Sequence, residues 1–453
     1  MSGLRQYQTD LIEQTAAHYA RGVGSVLLQL GTGGGKTHLA ANLLHRAVAK
    51  GNRCVFAAHL DTLVEDTHAR LAAAGVTAGF IQAGRPTNPA APVQVCSLMT
   101  LHARGERPPG KLVIVDEAHR AASSTTRELL QAYPDSGILG LSATPQRGDG
   151  QPLDMFEVMV SGPSNKVLTA AGFLVPFDLL APGTYQENAL AMDPVAAHLE
   201  FSKGKRNIVF AATVEHATDL VTRFRAAGIT ADMVVGETNR VTRRDIRARL
   251  RSGELEVLVG VAVFLEGFDE PSVETVTLAR PFGTVGAFLQ AIGRGLRPSP
   301  DTGKRRCTIL DLRGSCLTHG LPDEDRTWSL TGEACVRTEK MPALMRCGGC
   351  FAVFRPARCC PRCGQTMGAQ TASKLPRVLS RAEKLENYSD MPQWMRDARY
   401  LGALLRVAEG RMGKSPENAK RWAVTQFKRQ HGRSPEERTQ AGTQSDTARK
   451  GAA

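Results

Sequence analysis

The string Gly31-Thr32-Gly33-Gly34-Gly35-Lys36-Thr37 follows an apolar run, Val26 to Leu30, and precedes a helix-forming stretch, His38 to Lys50. A glycine-rich turn between strand and helix exposes backbone N–H groups at the helix N-terminus, and these attract phosphate oxygens. Lys36 is then placed to reach the terminal phosphates, and the Thr37 hydroxyl to bind Mg²⁺. Downstream, Asp116-Glu117-Ala118-His119 follows Lys111 to Val115, an aliphatic run of the kind buried on both faces of a parallel sheet. Asp116 suits the Mg²⁺ shell, while its neighbour Glu117 suits orienting and deprotonating a water. A third string, Gln290-Ala291-Ile292-Gly293-Arg294-Gly295-Leu296-Arg297, is expected to put Arg294 and Arg297 on one helical face with Gln290 a turn earlier. Phosphoryl transfer needs positive charge on its transition state, and arginines supplied by a separate lobe make hydrolysis depend on closure. The three strings together predict hydrolysis of ATP in a cleft between two lobes.

A second constellation is made of sulfur. Cys347-Gly348-Gly349-Cys350 and Cys360-Pro361-Arg362-Cys363 are two C-x-x-C knuckles, and paired knuckles turn four thiolates toward one point, as tetrahedral Zn²⁺ requires. Cys359 is an alternative to Cys360 as the fourth ligand. Phe351, Val353 and Phe354 between the knuckles either pack a miniature core or stack on bases. Cys54 and Cys96 lie in apolar, strand-like runs and read as core residues, and Cys307, Cys316 and Cys335 have no partner at knuckle spacing.

Positioning these groups takes a repeated alternation of strands and helices. Strands are expected at Val26–Leu30, Cys54–Ala58, Val93–Ser97, Leu112–Val115 and Ile138–Leu141, then at Asn207–Ala211, Ala231–Val235, Glu256–Val259, Thr275–Leu278 and Thr308–Leu310. Such alternation gives an α/β chain of two parallel-sheet lobes in tandem. The expected divisions are 1–150 and 151–325 for the lobes, 340–368 for a small zinc ribbon, 375–432 for a helical basic tail, and 433–453 as a polar stretch without periodicity that is expected to be disordered. Within the tail, Ser389–Glu409 and Ser415–His431 read as helices, the second started by Ser415-Pro416-Glu417 and stopped by Gly432.

Charge is concentrated at one end. Of the formal net charge of +13, the segment Met341 to Ala453 carries +12, from 21 Lys and Arg against 9 Asp and Glu. A basic segment beside a near-neutral motor is the electrostatic footprint of a phosphate backbone, so nucleic acid is the expected partner. No apolar run approaches the roughly 18 residues of a membrane-spanning helix. Met1 to Asp10 lacks the apolar core of a secretion signal, and a cytoplasmic location, where cysteines stay reduced, is expected. No lysine has an acid two residues before it, which disfavours a fused Glu-x-Lys nuclease.

These motifs, with Ser142-Ala143-Thr144-Pro145 and Phe264 to Pro271, resemble motifs of the superfamily 2 DEAD/DEAH-box helicases, over residues 1 to about 320. The cysteine cluster and basic tail add a resemblance to RadD-like repair helicases and their phage-encoded relatives. The resemblance implies two RecA-like lobes and activity on DNA in repair, recombination or phage replication. Leu4-Arg5-Gln6-Tyr7-Gln8 resembles the family's adenine-reading segment, which implies that Gln8 pairs with the adenine edge. Motif V implies that Gly267 and Asp269 link the ATP cleft to the nucleic-acid track. Leu60 stands where motif Ia commonly has arginine, and Cys96 to Thr100 matches motif Ib only loosely, so the strand's path is less defined than the ATP site. Two alternatives share these features: a duplex translocase that does not separate strands, and a zinc-bearing nucleic-acid binder whose ATPase only switches affinity.

Overall fold

The computed structural model describes residues 3–120, 124–147, 150–183, 190–261, 264, 268–332, 336–337, 344–368, 372–374 and 424–425. Residues 1–376 form one compact unit. Of the second unit, 377–453, only Val424 and Thr425 are described, both helical; the two predicted tail helices otherwise lie outside the described residues.

Aliphatic and β-branched runs too short for helices pair into two parallel sheets. The first lobe contains β1 (Ser25–Gln29), β2 (Cys54–Ala58), β3 (Ala78–Ile81), β4 (Val93–Ser97), β5 (Leu112–Val115), β6 (Gly137–Ser142) and β7 (Val158–Ser161). Their spatial order is β3-β4-β2-β5-β6-β1-β7. Side chains alternate across this sheet as the strand period requires. Val26, Leu28, Phe56 and Ile114 pack on one face with Leu39 and Leu44 of the helix Lys36–Ala49, while Leu27, Val55, Val113 and Val115 pack on the other with Leu129 and Phe156. Because both faces are covered, β1, β2 and β4 are buried at every position.

The second lobe repeats the plan with β8 (Phe177–Leu180), β9 (Asn207–Phe210), β10 (Ala231–Val234), β11 (Val257–Gly260), β12 (Thr275–Leu278) and β13 (Cys307–Asp311), ordered β10-β11-β9-β12-β13-β8. Phe210, Leu258, Val276 and Ile309 face one layer, and Val209, Val257 and Val259 the other.

One domain edge differs from the sequence reading. The first lobe does not end at residue 150, because β7 pairs with β1 in parallel from Val26↔Val158 to Gln29↔Ser161. The chain after the second lobe also returns to the first: the Leu153 N–H donates to the Leu330 carbonyl at 2.8 Å, and Leu330 packs against the first lobe's core.

Candidate active site

Glycine geometry shapes the turn from Gly31 to Lys36. Gly33 and Gly35 both have φ of +88°, left-handed backbone that a side chain rarely adopts, and Gly35 caps the helix that begins at Lys36. A Cβ on Gly34 would lie 2.7 Å from the Leu30 side chain, which is fully buried beneath the turn. Thus Leu30, standing where phosphate loops commonly carry glycine, anchors the turn in the core. Lys36 Nζ donates back to the Leu30 carbonyl at 3.4 Å.

Parallel pairing puts β5 between β2 and β6, so Asp116 and Glu117 emerge at the carboxyl edge of the sheet's centre, where open α/β folds bind ligands. The Asp116 N–H donates to the Ala57 carbonyl at 3.0 Å, and Asp116 Oδ1 accepts from the Glu117 N–H at 2.9 Å. Glu117 itself sits at φ +49°, a strained turn for a non-glycine residue, which swings its side chain off the end of the strand. Burial pushes the Glu117 pKa up, but Lys36, His119, Arg294 and Arg120 outweigh it and hold the carboxyl below its ordinary value. Its Oε2 is buried without a hydrogen-bond partner among the described residues.

A cavity of about 300 Å³ separates the lobes. Gly33, Gly35, Lys36, Thr37, Asp116 and Glu117 line it from the first lobe, and Asp269, Arg294 and Arg297 from the second. The lobes are in close contact here: a Cβ on Gly293 would come within 2.5 Å of Thr32 Cβ, and one on Gly286 within 2.9 Å of Thr144 Oγ1. His119 links the acidic edge to that contact, since its Nδ1 shares a hydrogen bond of 3.0 Å with Ser142 Oγ, which accepts from the Thr144 N–H at 3.2 Å.

Four residues stand differently from the sequence reading. The helix Val285–Gly293 ends before the arginines, so Arg294 and Arg297 do not share a helical face; both nevertheless reach the cavity. Gln290 lies back from the cavity, buried within that helix. Gln8 is also buried, and its amide is engaged by protein: Nε2 donates to the Gly34 carbonyl at 3.2 Å and Oε1 accepts from the Arg5 N–H at 3.1 Å. Gln8 therefore braces the phosphate turn. Gly267 lies outside the described residues.

The four-cysteine cluster forms a separate site. Cys347 Sγ and Cys363 Sγ are 3.6 Å apart, Cys350 Sγ and Cys360 Sγ 3.5 Å, and all four sulfurs lie within 4.8 Å of one another. A tetrahedron of thiolates around one Zn²⁺ has sulfurs about 3.8 Å apart, so the set fits that ion. Burial acts to raise the Cys347 pKa, but backbone N–H groups of Cys350 and Gly349, with the neighbouring thiols, lower it to about 7, whereas burial pushes Cys350 up to about 12 and Cys360 upward, so one thiolate is favoured in the set without a cation. Cys359 is exposed and outside the cluster, so Cys360 is the fourth member. Between the knuckles, Val353 and Phe354 are buried rather than free to stack. Phe354 and Ala352 join Leu180, Leu310 and Leu312 in one apolar cluster, and the Ala181 N–H donates to the Phe351 carbonyl at 2.9 Å. The module is therefore docked on β8, the edge strand of the second lobe.

Comparison with known proteins agrees with this layout. The family profile described as "Type III restriction enzyme, res subunit" matches residues 1–147, and "Helicase conserved C-terminal domain" matches residues 191–299. The chain belongs to the superfamily 2 helicases. This makes it an ATP-hydrolysing enzyme. It is 25% identical to a 51.5 kDa protein of Lactococcus phage (isolate 7-9) over 80% of this chain and 82% of the relative. It is 26% identical to a Saccharomyces cerevisiae protein inferred to be the ATP-dependent helicase IRC3, over 69% of this chain, and spans about half, 52%, of that relative's length. Among solved structures, a fragment assigned as the HsdR subunit of a type I restriction enzyme from Vibrio vulnificus YJ016 superposes with a TM-score of 0.56 at 21% identity, covering 70% of this chain and 66% of that one. No helix among the described residues is long and apolar enough to cross a membrane.

Sequence reasoning missed Asp66 and Arg70, which line the helicase's cavity from the helix Asp61–Ala73, because only tertiary contact brings them there. It also gave Arg5 no role of its own, although Arg5 lines the cavity with its guanidinium 4.4 Å over the Phe173 ring. His119 gives this helicase a predicted acid sensitivity. Burial lowers the His119 pKa from 6.5 to about 4, so between those values the unfolded chain holds a proton that the folded one excludes. Stability from this group is present above about pH 6.5 and lost as pH falls toward 4, a difference of roughly 3 kcal/mol. Denaturant titrations at pH 7.5 and pH 5 should show a smaller acid loss in His119→Gln than in the wild type; an equal loss would assign the sensitivity to other groups.

Proposed function

We propose that this helicase is an ATP-driven motor on DNA, coupling hydrolysis to strand separation in repair, recombination or phage replication. The observation that carries the reading is one cleft in which a phosphate cradle from one lobe faces two arginines from the other. The turn at Gly33 to Gly35 and Lys36 would bind the phosphates of ATP. Thr37 and Asp116, both lining the cavity, would hold Mg²⁺, which when bound neutralises phosphate charge and orients the reacting oxygens. Glu117, kept anionic beside Lys36 and Arg294, would accept a proton from the attacking water. Arg294 and Arg297 would add positive charge only while the lobes are together, which ties turnover to closure. The cysteine cluster would hold Zn²⁺ as a structural ion, fixing the docked module.

DNA as substrate is supported by the restriction-enzyme profile on the first lobe, and binding to a phosphate backbone by the basic end of the sequence with its +12 charge. Translocation on duplex without strand separation uses the same motor and is the second reading, supported by the restriction-enzyme profile on the first lobe. Two assays on the full-length protein separate them. A labelled strand should be released from a partial duplex in the presence of ATP and Mg²⁺. Release of a third strand from a triplex, with no release from the duplex, would overturn strand separation in favour of duplex translocation.

A further inference from the structure

Two cations from opposite lobes meet on a single carboxylate in the cleft. Arg70, in the last turn of the first-lobe helix Asp61–Ala73, donates to Asp269 Oδ2 at 3.1 Å. Arg297 of the second lobe donates to Asp269 Oδ1. All three residues line the cavity that also holds Lys36 and Glu117. A carboxylate whose two oxygens are claimed from opposite sides has a fixed plane, and a guanidinium bonded to it through one nitrogen keeps its remaining N–H donors for another acceptor. Shared between two guanidinium groups, the carboxylate also leaves the trio one net positive charge, where Asp269 and Arg297 alone would be neutral.

We propose that Arg70 is a positioning residue for Arg297: by gripping Asp269 from the opposite lobe, it aims Arg297 into the cleft only while the two lobes are together. The inference rests on the reading of Arg297 as a phosphate-facing arginine and goes beyond it, because it gives a first-lobe residue control over a second-lobe arginine. A purely stabilising surface pair fits the geometry less well. The Arg70 side chain is 44% exposed and that of Asp269 32%, so the pair adds little to folding stability. Its place is nevertheless inside the cleft. Burial alone would raise the Asp269 pKa, but Arg297, Arg70, Arg294 and Arg247 outweigh it and keep the carboxylate ionised to serve both partners.

The test is a double-mutant cycle on the full-length protein, reading nucleic-acid-stimulated ATP turnover for Arg70→Ala, Asp269→Ala and the double variant, with Arg297→Ala beside them. Arg70→Ala should lower kcat by about tenfold with KM for ATP nearly unchanged, since misaiming a catalytic group costs rate rather than binding. In the Asp269→Ala background the same change should cost almost nothing more, because Arg70 acts through that carboxylate. Arg70→Lys, which keeps one donor for Oδ2, should recover much of the lost rate, and thermal melting should not move in any Arg70 variant. Losses that multiply across the cycle, or a raised KM with kcat intact, would mean that Arg70 touches the nucleotide itself and would overturn the proposal. Full turnover in Arg70→Ala with none in Arg297→Ala would overturn it while leaving Arg297's role standing. Full turnover in Arg297→Ala would instead remove the reading on which it rests.

Discussion

Replacing Glu117 by Gln is expected to slow ATP turnover by about a hundred- to ten-thousandfold while leaving ATP binding within a few-fold of wild type. The substitution keeps the side chain's length and shape, so the turn at φ +49° and the hydrogen bond from the Glu117 N–H to Asp116 Oδ1 should survive. What is lost is a carboxylate whose Oε2 is buried without a hydrogen-bond partner among the described residues and whose charge is held by Lys36 and Arg294. Lys36→Ala should behave differently, because it removes a cation from the phosphate cradle and so weakens binding as well as turnover. Single-turnover ATPase beside equilibrium binding of a fluorescent ATP analogue separates the two effects. Near-wild-type turnover in Glu117→Gln would remove Glu117 as the base and leave the acidic edge with a role only in holding Mg²⁺.

Legibility of the fold followed burial. Cys54–Ala58, Val93–Ser97, Leu112–Val115 and Thr275–Leu278 were readable residue for residue, since interior strands of a parallel sheet are buried on both faces and draw largely on aliphatic and β-branched residues. The three strands of the two large parallel sheets that escaped, β3, β7 and β8, all lie at sheet edges, where one side needs no neighbour and exposed positions break the run. Missing β7 is also what put the first lobe's boundary too early. The site divides on similar lines. The glycine turn and the Asp116-Glu117 pair are each contiguous in sequence, and their place at the cavity follows from the local strand-end geometry, so that placement could be read directly. Arg70 is brought to Asp269 only by packing of one lobe on the other, across about two hundred residues, and no local pattern announces it. The expected shared helical face of Arg294 and Arg297 failed for a smaller reason: helical periodicity was carried past Gly293, where the helix stops. A Cβ on Gly295 would come within 2.4 Å of Cys307 Sγ, so close packing rather than helical continuation explains the glycines around Arg294.

The other large effect is expected at the cysteine cluster. Purified full-length protein should contain one Zn²⁺ per chain, and changing Cys347 and Cys350 together to Ser should abolish it and lower the thermal midpoint by about 10 °C or more. The size follows from where the module sits. Cys347 and Cys360 are buried in the same apolar cluster as Leu180 of β8 and Leu310 and Leu312 at β13, so loosening the knuckles uncovers an edge of the second lobe's sheet. Among the described residues the cleft draws none from the module, so ATP turnover measured well below the new midpoint should persist. Cys359→Ser is the matched control: it removes an adjacent thiol that is exposed and outside the cluster, and it should change neither metal content nor melting. Equal zinc loss in Cys359→Ser would mean that the neighbouring cysteines exchange as ligands. Unchanged melting in the Cys347/Cys350 variant would show instead that apolar packing alone, through Phe354 and Ala352, holds the module on β8.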